Sequence, residues 1–114
     1  MAFMFENLEV DKKTINLADE LSVLTEFFLK GNYYLSDQFN RATLSIATNI
    51  AEGNGKYHKA DRINFFRIAR GSTFECVPIL ELCKRKKLIK EDDCKAFKDR
   101  LDEIGKMLSG LMNY

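Results

Sequence analysis

Four times along the chain, apolar or small side chains recur at alternating steps of three and four residues, a rhythm that only amphipathic helices packed along continuous seams can use. The first seam is Val10, Thr14, Leu17, Leu21, Leu24 and Phe28, in a helix expected from Glu9 to about Lys30 and stopped by Gly31 and Asn32. Tyr33-Tyr34-Leu35 reads as a short connection whose aromatics lid the end of the core. Ser36 supplies an N-cap with Asp37 at the positive end of the helix dipole, and the second seam follows as Phe39, Thr43, Ile46 and Ile50, closed by Gly53-Asn54-Gly55. A fourth helix opens on Glu91-Asp92-Asp93 and carries Cys94, Phe97, Leu101, Ile104, Leu108 and Leu111.

The third helix, expected from Lys59 to about Lys87, carries two apolar rows. One is Phe66, Ala69, Thr73, Val77 and Leu80; the other is Phe65, Ile68, Ser72, Cys76, Ile79 and Cys83. An outer helix of a monomer needs one stripe, so two imply either a central position or a subunit interface. Gly71 in mid-helix costs about 1 kcal/mol relative to alanine, which close approach of another backbone would offset. Pro78 removes a hydrogen bond to the carbonyl of Phe74 and should kink the helix. Short connections join the four segments, so the expected fold is an all-α, antiparallel up-down-up-down four-helix bundle in one domain, residues 1–114.

Composition agrees: 46% apolar residues, 31% charged and one proline suit amphipathic helices. The opening Met1-Ala2-Phe3-Met4-Phe5-Glu6 lacks a basic segment followed by a long apolar run, and no window is long enough to span a bilayer, so a soluble cytoplasmic protein with no membrane partner is expected. Cys76, Cys83 and Cys94 lack Cys-x-x-Cys spacing and read as small buried side chains rather than metal or redox ligands. His58 is the one histidine and has no glutamate three residues before it, so neither a di-iron site nor a nucleophile-base pair can be assembled. No catalytic residue, metal or cofactor is expected.

The net charge of +1 conceals a pattern. Residues 1–37 carry seven acids against three bases, residues 38–90 eleven bases against four acids, and residues 91–114 six acids against four bases. The central block is either neutralised internally or offered to a polyanion. Lys56, Lys59, Arg62, Lys84, Arg85, Lys86 and Lys87 are the candidate contacts to a nucleic-acid backbone, although no aromatic stacking surface is evident within these clusters.

Beside the second seam runs a polar row, Arg41, Ser45, Asn49 and Glu52. An antiparallel hairpin turning near residues 54–58 would set Arg41 against Glu75, Asn49 against Arg67 and Ser45 against Arg70, with Glu52 facing Arg62 or Arg67. Such a row either fixes the register of the hairpin by ion pairs and hydrogen bonds, or forms a cleft in which Arg67 and Arg70 meet an anion.

Two phrases in this region, Ser45-Ile46-Ala47-Thr48-Asn49-Ile50-Ala51-Glu52-Gly53 and Phe65-Phe66-Arg67-Ile68-Ala69-Arg70-Gly71-Ser72 with Glu75, resemble the signature of bacterial four-helix-bundle proteins encoded in intervening sequences of 23S ribosomal RNA genes. The resemblance implies a left-handed bundle that assembles as a ring-like homopentamer. It also implies similarity to the pentameric accessory protein of diversity-generating retroelements, which binds nucleic acid. It supplies no catalytic residues, and its motif positions fall on Arg41, Asn49, Glu52, Gly53, Arg67, Arg70, Gly71, Ser72 and Glu75. This chain departs from the pattern at Tyr57-His58, which weakens the cap of helix three, and at Pro78. The expected function is a homo-oligomeric scaffold that binds RNA or DNA; a protein-interaction adaptor is the alternative.

Overall fold

The computed structural model describes the backbone of residues 2–114 and the side chains of residues 7–114. The opening segment Met1–Glu6, read above for a targeting signal, therefore lies outside the described side chains. The described residues form four α-helices, α1 Ala2–Thr25, α2 Tyr33–Asn54, α3 Lys59–Arg85 and α4 Glu91–Leu111, with one 3-10 turn at Lys30–Asn32. Contacts run in opposing order along each neighbouring pair, Arg41 to Glu75 and Ser45 to Ser72 between α2 and α3, Lys98 to Glu81 and Ser109 to Arg70 between α3 and α4. Lys13 meets Glu103 and Arg100 meets Glu20 between α1 and α4, so the helices alternate up and down. α1 packs against α2 and α4, and α3 packs against the same two, which places α1 and α3 on opposite corners.

The seams form the core. Val10, Leu17, Leu21, Phe39, Ile46, Ile50, Phe66, Leu80, Leu101 and Leu108 are essentially inaccessible. Four threonines are buried because each hydroxyl donates to a carbonyl of the preceding turn: Thr14 to Val10 at 2.8 Å, Thr25 to Ser22 at 3.1 Å, Thr43 to Phe39 at 3.0 Å and Thr73 to Ala69 at 2.9 Å.

Helix ends differ from the sequence reading. α1 stops at Thr25, five residues before Lys30, yet Phe28 remains buried because the loop folds it back over the core. Tyr33-Tyr34-Leu35 is the first turn of α2 rather than a connection; Leu35 is buried, while Tyr33 and Tyr34 are about half exposed and lid nothing. Asn32, not Ser36, is the N-cap. Gly53 lies inside α2, where an added Cβ would stand 2.7 Å from Cε1 of the buried Phe66. This glycine permits the close approach of α2 and α3.

The second row of α3 is largely absorbed within one chain. Cys76 and Cys83 are buried, Phe65, Ser72 and Ile79 are half-buried, and only Ile68 of that row stands open. A position between α2 and α4 thus accounts for most of the second stripe, and that row by itself does not require a second subunit. α3 runs unbroken through Pro78. Pro78 and Phe74 both lie on exposed surface, where water can satisfy the carbonyl that proline leaves unbonded.

Candidate nucleic-acid interface

The polar row on the α2–α3 seam is a set of local contacts. The Arg41 guanidinium pairs with the Glu75 carboxylate and donates to Gln38 Oε1 at 2.9 and 3.2 Å. Ser45 and Ser72 share a hydrogen bond of 2.8 Å, so Ser45 meets Ser72 and not Arg70, two residues further along α3 than the hairpin count placed it. Asn49 makes no bond to Arg67: its Nδ2 donates to the Ser45 carbonyl at 2.8 Å and to Ser45 Oγ at 3.1 Å. Glu52 reaches neither Arg62 nor Arg67 and stands 4.0 Å from the Lys56 amine.

Arg67 and Arg70 diverge. Arg70 donates to Ser109 Oγ on α4 at 3.1 Å. Arg67 points to solvent and makes no ion pair or hydrogen bond among the described residues. The two guanidinium groups therefore do not converge into an anion cleft, and within this row the Arg41–Glu75 and Ser45–Ser72 contacts are what join α2 to α3 among the described residues. Because Arg41 and Glu75 are each about half exposed, water screens their attraction.

The seven basic candidates fall into two groups at opposite ends of the bundle. Lys56, Lys59 and Arg62 belong to the α2–α3 turn; Lys84, Arg85, Lys86 and Lys87 belong to the α3–α4 turn. The 27 residues of α3 separate them by about 40 Å, nearly the full 44 Å length of the molecule.

At the α3–α4 end, one carboxylate gathers the charge. Glu81 accepts from Lys98 at 2.9 Å, Lys84 at 3.2 Å and Arg85 at 3.3 Å. Hydrogen bonds from Lys98 and Lys84, reinforced by Arg85, hold its carboxyl down to about 2, while Glu81 in turn raises the Lys98 amine. Lys86 and Lys87 remain exposed, but Glu91, Asp92 and Asp93 follow in the first turn of α4. Lys87 closes α3 in the left-handed region, φ 63°, with the Leu88 N–H bonded to the Cys83 carbonyl at 2.9 Å.

At the α2–α3 end, the turn presents an aromatic side chain among its cations. Tyr57 is 91% exposed, and its ring meets that of His58 edge-on at 5.3 Å and 85°. Arg62 Nη1 donates to the Tyr57 carbonyl at 3.3 Å, and the Arg62 N–H donates to the His58 carbonyl at 3.1 Å. The Lys56 amine lies 5.3 Å from the centre of the Phe65 ring. His58 is the N-cap of α3 and makes no side-chain cap bond, in line with the weak cap expected there. No stacking aromatic surface was expected within the basic clusters, yet Tyr57 is an exposed aromatic side chain among them. The signal was available, since Tyr57 stands between Gly55 and the start of α3, off every apolar seam, where no core position could receive it.

Two further surfaces went unread in the sequence. The outward face of α3 carries Ile68, Gly71, Phe74, Pro78 and Leu82, with Phe74 58% exposed and nothing within 4 Å of a Cβ built on Gly71. An apolar trough lined by Ile15, Ala18, Leu44 and Ala47 lies between α1 and α2. Cys76 and Cys83 are quiet thiols: burial, helped for Cys76 by the Glu75 carboxylate, pushes them to about 12 and about 11. Among the described residues no group of three or more His, Cys, Asp or Glu side chains is placed to hold a metal ion, and no helix is long and apolar enough to cross a membrane.

The 23S rRNA-intervening sequence protein family matches this chain over residues 6–110. A crystal structure of a protein with unknown function from the S23 ribosomal protein family, from Bacteroides thetaiotaomicron VPI-5482, superposes with a TM-score of 0.87 at 26% identity. The alignment covers 96% of this chain and 99% of the other. No curated protein matches the chain.

Proposed function

Because this chain belongs to the 23S rRNA-intervening sequence protein family, we propose that it is a non-enzymatic scaffold that assembles as a ring-like homopentamer and binds an RNA or DNA backbone through its basic turns. The observation that carries the assembly is Gly71. It sits on the apolar outward face of α3 with open space above it, so nothing in a single chain offsets its cost as a mid-helix glycine. A neighbouring backbone laid across that face would. The α1–α2 trough lies on a different side of the bundle, since α1 and α3 occupy opposite corners. A face that docks onto a different face of the next copy is heterologous, and such contacts close into rings when the rotation permits.

Cyclic symmetry brings every copy of one turn to the same circle, so a basic turn too small to hold a polyanion alone gains avidity in the ring. The diverging arginines, one turned to Ser109 and one to solvent, leave the basic turns as the surfaces that support a binding role. Light scattering on the purified protein should give five times the 13.2 kDa chain mass. Gly71→Ala should break the assembly; if Gly71 instead faces water, the same change leaves the mass unaltered and stabilises the fold by about 1 kcal/mol. A protein-adaptor reading keeps one observation in its favour, the exposed Phe27 and Leu29 at the α1–α2 turn, and predicts no retention on a polyanion column.

A further inference from the structure

Resting on the nucleic-acid reading above, we propose that the Tyr57–His58 turn is a stacking site for an unpaired base of single-stranded nucleic acid, with Lys56 and Lys59 holding the flanking phosphates. Three observations converge on it. Tyr57 is 91% exposed, so its ring is open to a flat partner even with the His58 ring 5.3 Å away. The turn that carries it is held from below: Arg62 bonds the Tyr57 carbonyl, the Arg62 N–H bonds the His58 carbonyl, and the Lys56 N–H bonds the Gly53 carbonyl at 3.1 Å. The ring is thus presented outward by a braced backbone rather than by a loose loop, and Arg62 is a positioning residue.

The third observation is the balance of charge. Between residues 52 and 62 the turn carries Lys56, Lys59 and Arg62 against Glu52 and Asp61. Lys59 is exposed and unpaired among the described residues, and Lys56 has its nearest carboxylate, Glu52, at 4.0 Å. Two amines per chain can neutralise two phosphates, a contact by charge alone that does not distinguish a single strand from a duplex. A base stacked on an aromatic face supplies what charge does not, and only an unpaired base can do so, because bases inside a duplex already stack on one another. The α3–α4 turn lacks this combination: Lys84 and Arg85 are committed to Glu81.

The test uses the full chain with a short RNA carrying one 2-aminopurine, the matched DNA strand, and the same RNA annealed to its complement. Binding should change 2-aminopurine fluorescence in the single strands and not in the duplex. Tyr57→Ala should weaken single-strand binding about tenfold while leaving duplex binding and the circular dichroism spectrum unchanged, and Tyr57→Phe should restore it. Single-strand affinity untouched by Tyr57→Ala, with no fluorescence change, overturns the stacking site and leaves the nucleic-acid reading standing. Failure of the unaltered protein to bind any of the three overturns both.

Discussion

The two basic turns look alike in the sequence and differ in the structure. Lys84-Arg85-Lys86-Lys87 is the denser cluster, yet its first two cations converge on Glu81 and three acids open the next helix. The α2–α3 turn has fewer bases but leaves Lys59 unpaired, loosely engages Lys56 and sets Tyr57 between them. Counting charges along a chain ranks these sites in the wrong order for binding, because a cation already hydrogen-bonded to a carboxylate must give up that partner before it can neutralise a phosphate.

The largest test of this contrast is a pair of double variants. Lys56→Gln with Lys59→Gln should lower affinity for single-stranded RNA by about tenfold or more and flatten its salt dependence, since two phosphate contacts per chain are lost. Lys86→Gln with Lys87→Gln should change affinity by less than about threefold. Filter binding across a salt series reads both, and a larger loss from the second pair would reverse the ranking.

A smaller effect sharpens the same comparison from the other side. Glu81→Gln releases Lys84, Arg85 and Lys98, so retention on RNA should rise, with the increase lost again when Lys84 and Arg85 are also neutralised. The same variant has a pH signature. Glu81 is held to about 2 from an ordinary 4.5, so its contribution to stability is complete above pH 4.5 and fades as pH falls toward 2. Melting curves of the unaltered protein should drop through that window, and those of the variant should lack this component. The carboxylate is 31% exposed, so solvent screening keeps the difference modest. Superimposable acid limbs would mean that the three cations do not act on Glu81 as described.

The seams were legible because burial imposes the three-and-four rhythm directly on residue choice: every member of the first seam is buried or half-buried, as is every member of the fourth. Helix ends were less so. Phe28 keeps the rhythm of α1 after the helix has stopped at Thr25, because a loop can fold an apolar side chain into the core without helical backbone. Gly53 read as a terminator, whereas its role is steric and depends on where Phe66 lies in three dimensions. The double stripe of α3 was visible, but its partners were not: a helix flanked by two neighbours in one chain and a helix at a subunit contact write the same pattern. Arg67 and Arg70 share a phrase and still point apart, since residues three apart on a helix can lean to different neighbours.

The smallest expected effect concerns how the two turns are built. The α2–α3 turn is closed by Gly55 at φ −82°, an ordinary right-handed cap. The α3–α4 turn is closed by Lys87 at φ 63°, where a side chain costs about 1 kcal/mol that glycine would not incur. If the lysine is there for its charge, the strain is retained for binding; if not, Lys87→Gly simply removes it. We expect the fold to gain about 0.5–1 kcal/mol in urea unfolding with RNA affinity unaltered within about twofold, consistent with the α3–α4 end being the weaker contact. A clear loss of affinity in this one variant would show that the strained backbone presents Lys87 to a phosphate, and the ranking of the two ends would have to be redrawn around the left-handed residue.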